Sequence, residues 1–157
     1  MKVKGRFLLV SMVLSLCFVM VGCATSPSGP GTAPVVNKVT VGADDKDATS
    51  LTHVPIITFN ANSNSIYVGV DVSDPDADIT KVSITIKQNG NVLMVNGNPA
   101  KVEGDFSTKG QSLYSGMLFR LNLGEATGSG YTVEVFFTDK KGNKSNVLSS
   151  DVFTLQK

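Results

Sequence analysis

Apolar and polar positions divide the chain into three regimes. Residues 7–21 form an apolar run broken only by Ser11 and Ser15, and it follows three cations, Lys2, Lys4 and Arg6. Residues 24–34, ATSPSGPGTAP, hold no large apolar side chain. From residue 35 onward the pattern changes to two-residue alternation, interrupted by clusters of Gly, Asn, Asp, Ser and Pro, and no helical period stands out. Ile66, Val68, Val70 and Val72 alternate with Tyr67, Gly69, Asp71 and Ser73; Val82, Ile84 and Ile86 alternate with Lys81, Ser83, Thr85 and Lys87. Met117, Phe119, Leu121 and Leu123 define another such face, as do Tyr131, Val133, Val135 and Phe137. Side chains of a strand point alternately to opposite faces, so each segment predicts a strand with one apolar side. Asn89-Gly90 supplies the two positive φ angles of a tight hairpin into a short strand at 91–95. Earlier strands are expected at 35–41 and 54–59, separated by a wet loop carrying Asp44, Asp45, Lys46 and Asp47, and a last strand within 148–155. The expected total is seven to nine strands.

The leader carries the most specific signal. Basic residues, an apolar stretch and Met20-Val21-Gly22-Cys23 follow the plan of an export signal with a small residue at the cut. Residues 17–24 resemble the bacterial lipobox, with Met20 where that family usually has leucine. The resemblance implies a diacylglycerol on the Cys23 thiol, cleavage before Cys23 and further acylation, palmitate-like, at the new amino group. Each buried methylene contributes about 0.8 kcal/mol, so two or three chains hold where one binds reversibly. The alternative, an uncleaved spanning helix, meets an apolar run shorter than the roughly 20 residues a bilayer requires. The expected domains are therefore a signal peptide at 1–22, a lipidated flexible tether at 23–34 and a folded unit at 35–157. Such a tether stays extended and mobile. Ala24, in place of aspartate, resembles the sorting pattern of outer-membrane lipoproteins; in a cell with one membrane the same anchor implies the outer face of the plasma membrane.

For the folded unit, strands of this number and spacing point to two antiparallel sheets packed face to face. Residues 70–82, VDVSDPDADITKV, look like strand B, an acidic B–C turn and the start of strand C; residues 131–143, YTVEVFFTDKKGN, look like strand F and its F–G turn. Over residues 36–156 the chain thus resembles bacterial immunoglobulin-like and fibronectin-III-like extracellular modules. The expected fold class is an all-β immunoglobulin-like sandwich. The resemblance implies a structural role for Tyr131, whose hydroxyl would bond backbone at the E–F corner. The paired cysteines and tryptophan of antibody domains are missing.

Composition narrows the chemistry. Of the 14 basic residues three leave with the signal while all 13 acids stay, so the mature chain is slightly acidic and offers no basic field for nucleic acid. Of the two cysteines Cys17 leaves and Cys23 is the lipidation site, so packing alone must stabilise the domain. The strongest constellation is Asp74-x-Asp76-x-Asp78, towards which a sandwich brings Asp139 and Asn143. Calcium, with six to eight hard oxygen ligands, suits these five residues; an EF-hand does not, because Ile79 and Thr85 replace its glycine and glutamate. The plain alternative is a solvated turn in which Asp139 caps its own backbone. His53 is the only histidine, without a partner that would mark a base or metal site, and no nucleophile-elbow motif is present. Glu103, Glu125 and Glu134 are unlinked carboxylates. Lys140, Lys141 and Lys144 form a small basic tip.

An enzyme is therefore not expected, a hydrolase being the distant third reading, and no cofactor is expected unless calcium binds. The expected role is a lipid-anchored structural or protein-interaction module, with the membrane and another envelope protein as partners and residues 103–116 as one candidate surface. The competing role is a calcium-dependent or glycan-binding adhesion module, for which Tyr67, Tyr114 and Phe136 are the aromatic candidates outside the core.

Overall fold

The computed structural model describes residues 31–59, 64–106 and 110–157. The signal, Cys23 and the first part of the tether lie outside them. The strands are β1 (Val35–Gly42), β2 (Ile56–Thr58), β3 (Ser65–Ser73), β4 (Ile79–Gln88), β5 (Asn91–Val92), β6 (Met94–Val95), β7 (Asn98–Pro99), β8 (Lys101–Asp105), β9 (Leu113–Asn122), β10 (Gly128–Asp139), β11 (Leu148–Ser149) and β12 (Phe153–Gln156), with one helical turn, α1 (Asp45–Thr49). One sheet has the order β1-β3-β9; the other runs β2-β12-β10-β4-β5, with β11 beside β10 and β8 beside β4. The fold is an all-β immunoglobulin-like sandwich.

Alternation decides what fills it. Ile66, Val68, Val70 and Val72 of β3 are wholly buried against Val133, Val135 and Phe137 of β10, joined by Val41, Ile84, Leu123, Phe153 and Leu155. Register locks the faces together: Val68 lies between Val41 and Phe119, and Ile86 lies opposite Val133. Burying each such side chain contributes about 1.5–3 kcal/mol. At one end of this core Phe106 meets Phe137 and Tyr114 edge-on, at 5.9 and 5.8 Å between ring centroids; Tyr131 and Phe153 stack at 5.7 Å.

The expected strands are present, but the count rises to twelve segments and the pairing is not wholly antiparallel. The extra pieces come from a second Asn-Gly turn, Asn96-Gly97, with the same positive φ pair as Asn89-Gly90. The two turns send the chain out and back, so β5 and β8 share one edge of β4. Between them, Leu93 N–H donates to the Ile86 carbonyl and Ile86 N–H to the Ala100 carbonyl, both at 2.9 Å. β8, KVEGD, escapes an alternation search because four of its five residues carry no apolar side chain. β2 pairs β12 in parallel, Thr154 to Gln156 lying against Ile56 to Thr58.

The expected wet loop at residues 44–47 is instead the start of α1. Asp44 caps it, its side chain accepting the Asp47 N–H at 2.9 Å. The turn lies on the outer face of the smaller sheet, where Ala48 is fully buried. Three glycines, one per strand, make room: a Cβ on Gly69 would run into the Ala48 carbonyl, one on Gly116 into Thr49, and one on Gly42 into Asp47. Gly116 also has φ +67° and sits where β9 slips register against β3.

Pro34 is buried, and Gly31 and Thr32 are hydrogen-bonded to the body of the domain. Gly69→Val should lift α1 off its seat and cost about 1–3 kcal/mol, read as a lower urea midpoint, whereas Gly104→Ala, with open space at the Cβ position, should leave the midpoint in place.

Candidate functional site

The B–C and F–G turns meet at the end of the sandwich where the tether enters. The Lys140 N–H donates to the Asp78 carbonyl at 2.9 Å, and Lys141 reaches Asp76 at 3.7 Å. The residues expected as calcium ligands are therefore neighbours, and several of their oxygens already accept hydrogen bonds. Asp74 is fully buried; its Oδ2 accepts the N–H groups of Asp78 at 2.7 Å and Ile79 at 3.0 Å, tying the turn shut. Asp139 does the same for the F–G turn: Oδ1 accepts from the Lys141 and Asn143 amides, both at 2.8 Å, and Oδ2 from Asn143 Nδ2 at 2.7 Å. Asp76 Oδ2 accepts the Thr32 N–H at 2.8 Å, while Asn143 Nδ2 also donates to the Gly31 carbonyl at 3.3 Å.

Only Asp74 Oδ1 and Asp78 Oδ1 in this group are buried without a partner. Among the described residues no three His, Cys, Asp or Glu side chains are grouped to hold a metal ion. Asp74 and Asp139 each cap one of the two turns.

The carboxylates respond to these surroundings in opposite directions. Burial acts to raise the pKa of Asp139, but the bonds from the Asn143 side chain and amide and from the Lys141 and Gly142 amides outweigh it, and the net shift is downward from 3.8. Asp78 moves up from 3.8, first through desolvation, then through repulsion by Asp139 and Asp74, against the weaker pull of Lys141.

At the opposite end, the Tyr131 hydroxyl donates to the Thr127 carbonyl at 2.8 Å, closing the corner before β10, and burial raises its pKa. His53 lies beside the β2–β12 edge with Nε2 3.3 Å from the Val152 carbonyl. Glu103, Glu125 and Glu134 are each held by a lysine: Glu134 by Lys87 and Glu103 by Lys101, both at 2.7 Å, and Glu125 by Lys157.

The outer face of the larger sheet holds a shallow groove of about 490 Å³ lined by Lys81, Ser83, Glu103, Asp105, Phe136 and Lys144. Its one aromatic platform is covered, since Lys144 Nζ stands 5.5 Å from the centre of the Phe136 ring. A stacked sugar would have to displace that ammonium. Tyr67 is engaged similarly, under Arg120 at 5.8 Å, and Tyr114 packs on Phe106.

No family model matches the sequence, and no curated protein matches it. Among solved structures the chain is similar to the PKD1 domain of Vibrio anguillarum Epp, with 17% identity and a TM-score of 0.41 over 80% of this chain and 96% of that one.

Replacing Asp139 by alanine leaves three N–H donors unanswered and should cost about 3 kcal/mol at pH 7. Because the Asp139 pKa is depressed, its contribution holds above its ordinary value and is lost as pH falls through the lower folded value, so the variant's urea midpoint should decline less in acid than that of the unaltered chain. Asp78 has the reverse sign: its ionised form is disfavoured in the folded state. Asp78→Asn should raise the midpoint at pH 7, and the gain should vanish below the ordinary aspartate pKa, where the carboxyl is protonated in both states.

Proposed function

We propose that this chain is a lipid-anchored envelope protein whose immunoglobulin-like sandwich serves as a non-catalytic structural or protein-interaction module. The observation that carries the reading is the leader itself: three early cations, an apolar run and Gly22-Cys23, followed by a Ser/Gly/Pro spacer. Cys23 is the lipidation site, and Ala24 directs the protein to the outer membrane of a two-membrane cell or leaves it on the outer face of a single one.

The folded part supports this in two ways. Its acidic and amide side chains at the B–C and F–G turns finish backbone hydrogen bonds, and Glu134 and Glu103 are ion-paired with lysines. The chain also enters the domain at a defined place. Asp76 and Asn143 hold Thr32 and Gly31, and the stretch from Cys23 to Gly31 reaches at most about 30 Å when extended. The anchor therefore keeps the B–C and F–G turns near the lipid and presents the Asn89-Gly90 and Asn96-Gly97 hairpins outward. Loops and edges on a rigid β scaffold are where recognition usually sits.

Mass spectrometry of the mature protein should find Cys23 as the N-terminal residue carrying acyl chains, and Cys23→Ser should shift the protein from the membrane fraction to the soluble one; a free thiol at Cys23 overturns the reading. In vesicles containing spin-labelled lipid, a fluorophore at position 140 should be quenched and one at position 90 should not. Equal quenching at both positions would refute the orientation.

A further inference from the structure

We infer that the outer edge of β9 is a strand-addition site for an extended segment of another protein, a refinement that rests on the proposed interaction role. β9 pairs only with β3, and among the described residues its main chain has no partner on the other side. Unpaired N–H and C=O groups along a strand are a template for one more strand, and folded proteins normally block such edges with charges, prolines, bulges or short length.

Other edges of this sandwich are obstructed by charge, by short length or by side-chain clasps. β8 carries Lys101, Glu103 and Asp105 within five residues. β2 has three residues and β5 two. β1 is clasped from the other sheet: Asn146 accepts the Val36 N–H at 2.9 Å and donates to the Val36 carbonyl at 3.0 Å, and further along the Val41 carbonyl accepts from Val54 at 2.8 Å. In β9, by contrast, the stretch from Met117 to Asn122 follows the Gly116 irregularity and carries one charge, Arg120, and no proline.

The side chains report the same vacancy. Val70 and Val68 of β3 are fully buried, whereas their β9 neighbours Met117 and Phe119 on the same inner face are only half covered. Further along β9, at Arg120 to Leu123, a groove of about 270 Å³ opens between the two sheets, floored by Ile86, Leu121 and Leu123 and walled by Val95 and Pro99 of the β6–β7 hairpin and by Val102, which is 47% exposed. An added strand with apolar side chains at alternate positions would cover Met117 and Phe119 while its backbone completes the sheet. Arg120, exposed and without an ion-pair partner among the described residues, selects an acidic residue on the incoming segment.

The geometry of the anchor argues against the two nearest alternatives. The tether itself, ATSPSGP over residues 24–30, is too rich in proline and too poor in apolar side chains to serve as a strand. A second copy joined β9 to β9 about a two-fold axis would run antiparallel, turning its tether end away from the membrane that holds the first.

The test uses the full chain in detergent and, as probe, a nine-residue peptide of alternating valine and threonine with one central glutamate. Hydrogen exchange should slow at alternate amides between Met117 and Asn122 when the peptide is added. Methylating every second peptide nitrogen should abolish binding. Arg120→Glu should weaken binding at least ten-fold, and a lysine in place of the peptide glutamate should restore it. No binding at millimolar peptide, equal binding of the methylated peptide, protection confined to other strands, or self-association through β9 that the peptide does not displace would each overturn the inference. None of these outcomes bears on whether Cys23 is acylated, so the two readings fail separately.

Discussion

Burial of two facing apolar surfaces, those of β3 and β10, is the constraint on which everything else depends. Residues 31–157 contain no cysteine, so no disulfide is available within them. The four inward residues of β3 and the three of β10 are therefore placed with no exposure at all, since a sandwich of this size is stable by a margin of only about 5–15 kcal/mol. The turns, the helix seat and the edges can be elaborate because that centre is simple.

Packing two sheets leaves a problem wherever a strand ends or departs, because buried N–H and C=O groups must still be satisfied. Short polar side chains solve it repeatedly here. Asp74 and Asp139 finish the two turns at the tether end. Where the last strand breaks away from β10, buried Ser145 and Ser150 accept the Phe137 and Val133 N–H groups at 2.9 and 3.1 Å, so that a discontinuous strand still seals the edge. Asn146, lying between them in sequence, uses the donor and acceptor of one amide group to join the larger sheet to β1. Short polar side chains thus act as substitutes for main chain at these strand ends.

How much was legible in advance follows from this division. The core strands were readable because each has one face that must be apolar, and Asn89-Gly90 was readable because few dipeptides tolerate two positive φ angles. Asn96-Gly97 carried the same mark but stood beside segments too short to show alternation. α1 hid because one turn with a single buried alanine has no period to detect; the glycine at position 69, in the middle of a strand, was the available clue that another backbone passes close by. The juxtaposition of Asp76 with Thr32, or of Asn143 with Gly31, leaves no trace in sequence, since contacts over 44 and 112 residues come from topology alone. The acidic turn was located correctly, but carboxylate spacing does not reveal whether oxygens will face amides or a cation.

The parallel partnership of β2 and β12 has a mechanical consequence. The tether joins the sandwich beside Ser73, the partner of Val35, while β12 runs towards the end marked by Gly128 and the Asn89-Gly90 turn. Tension applied between these two ends acts along the strands. It pulls β2 and β12, and likewise β1 and β3, past one another lengthwise, loading their hydrogen bonds together instead of unzipping them one after another. A module pulled at one end and gripped near the other would resist extension as a unit.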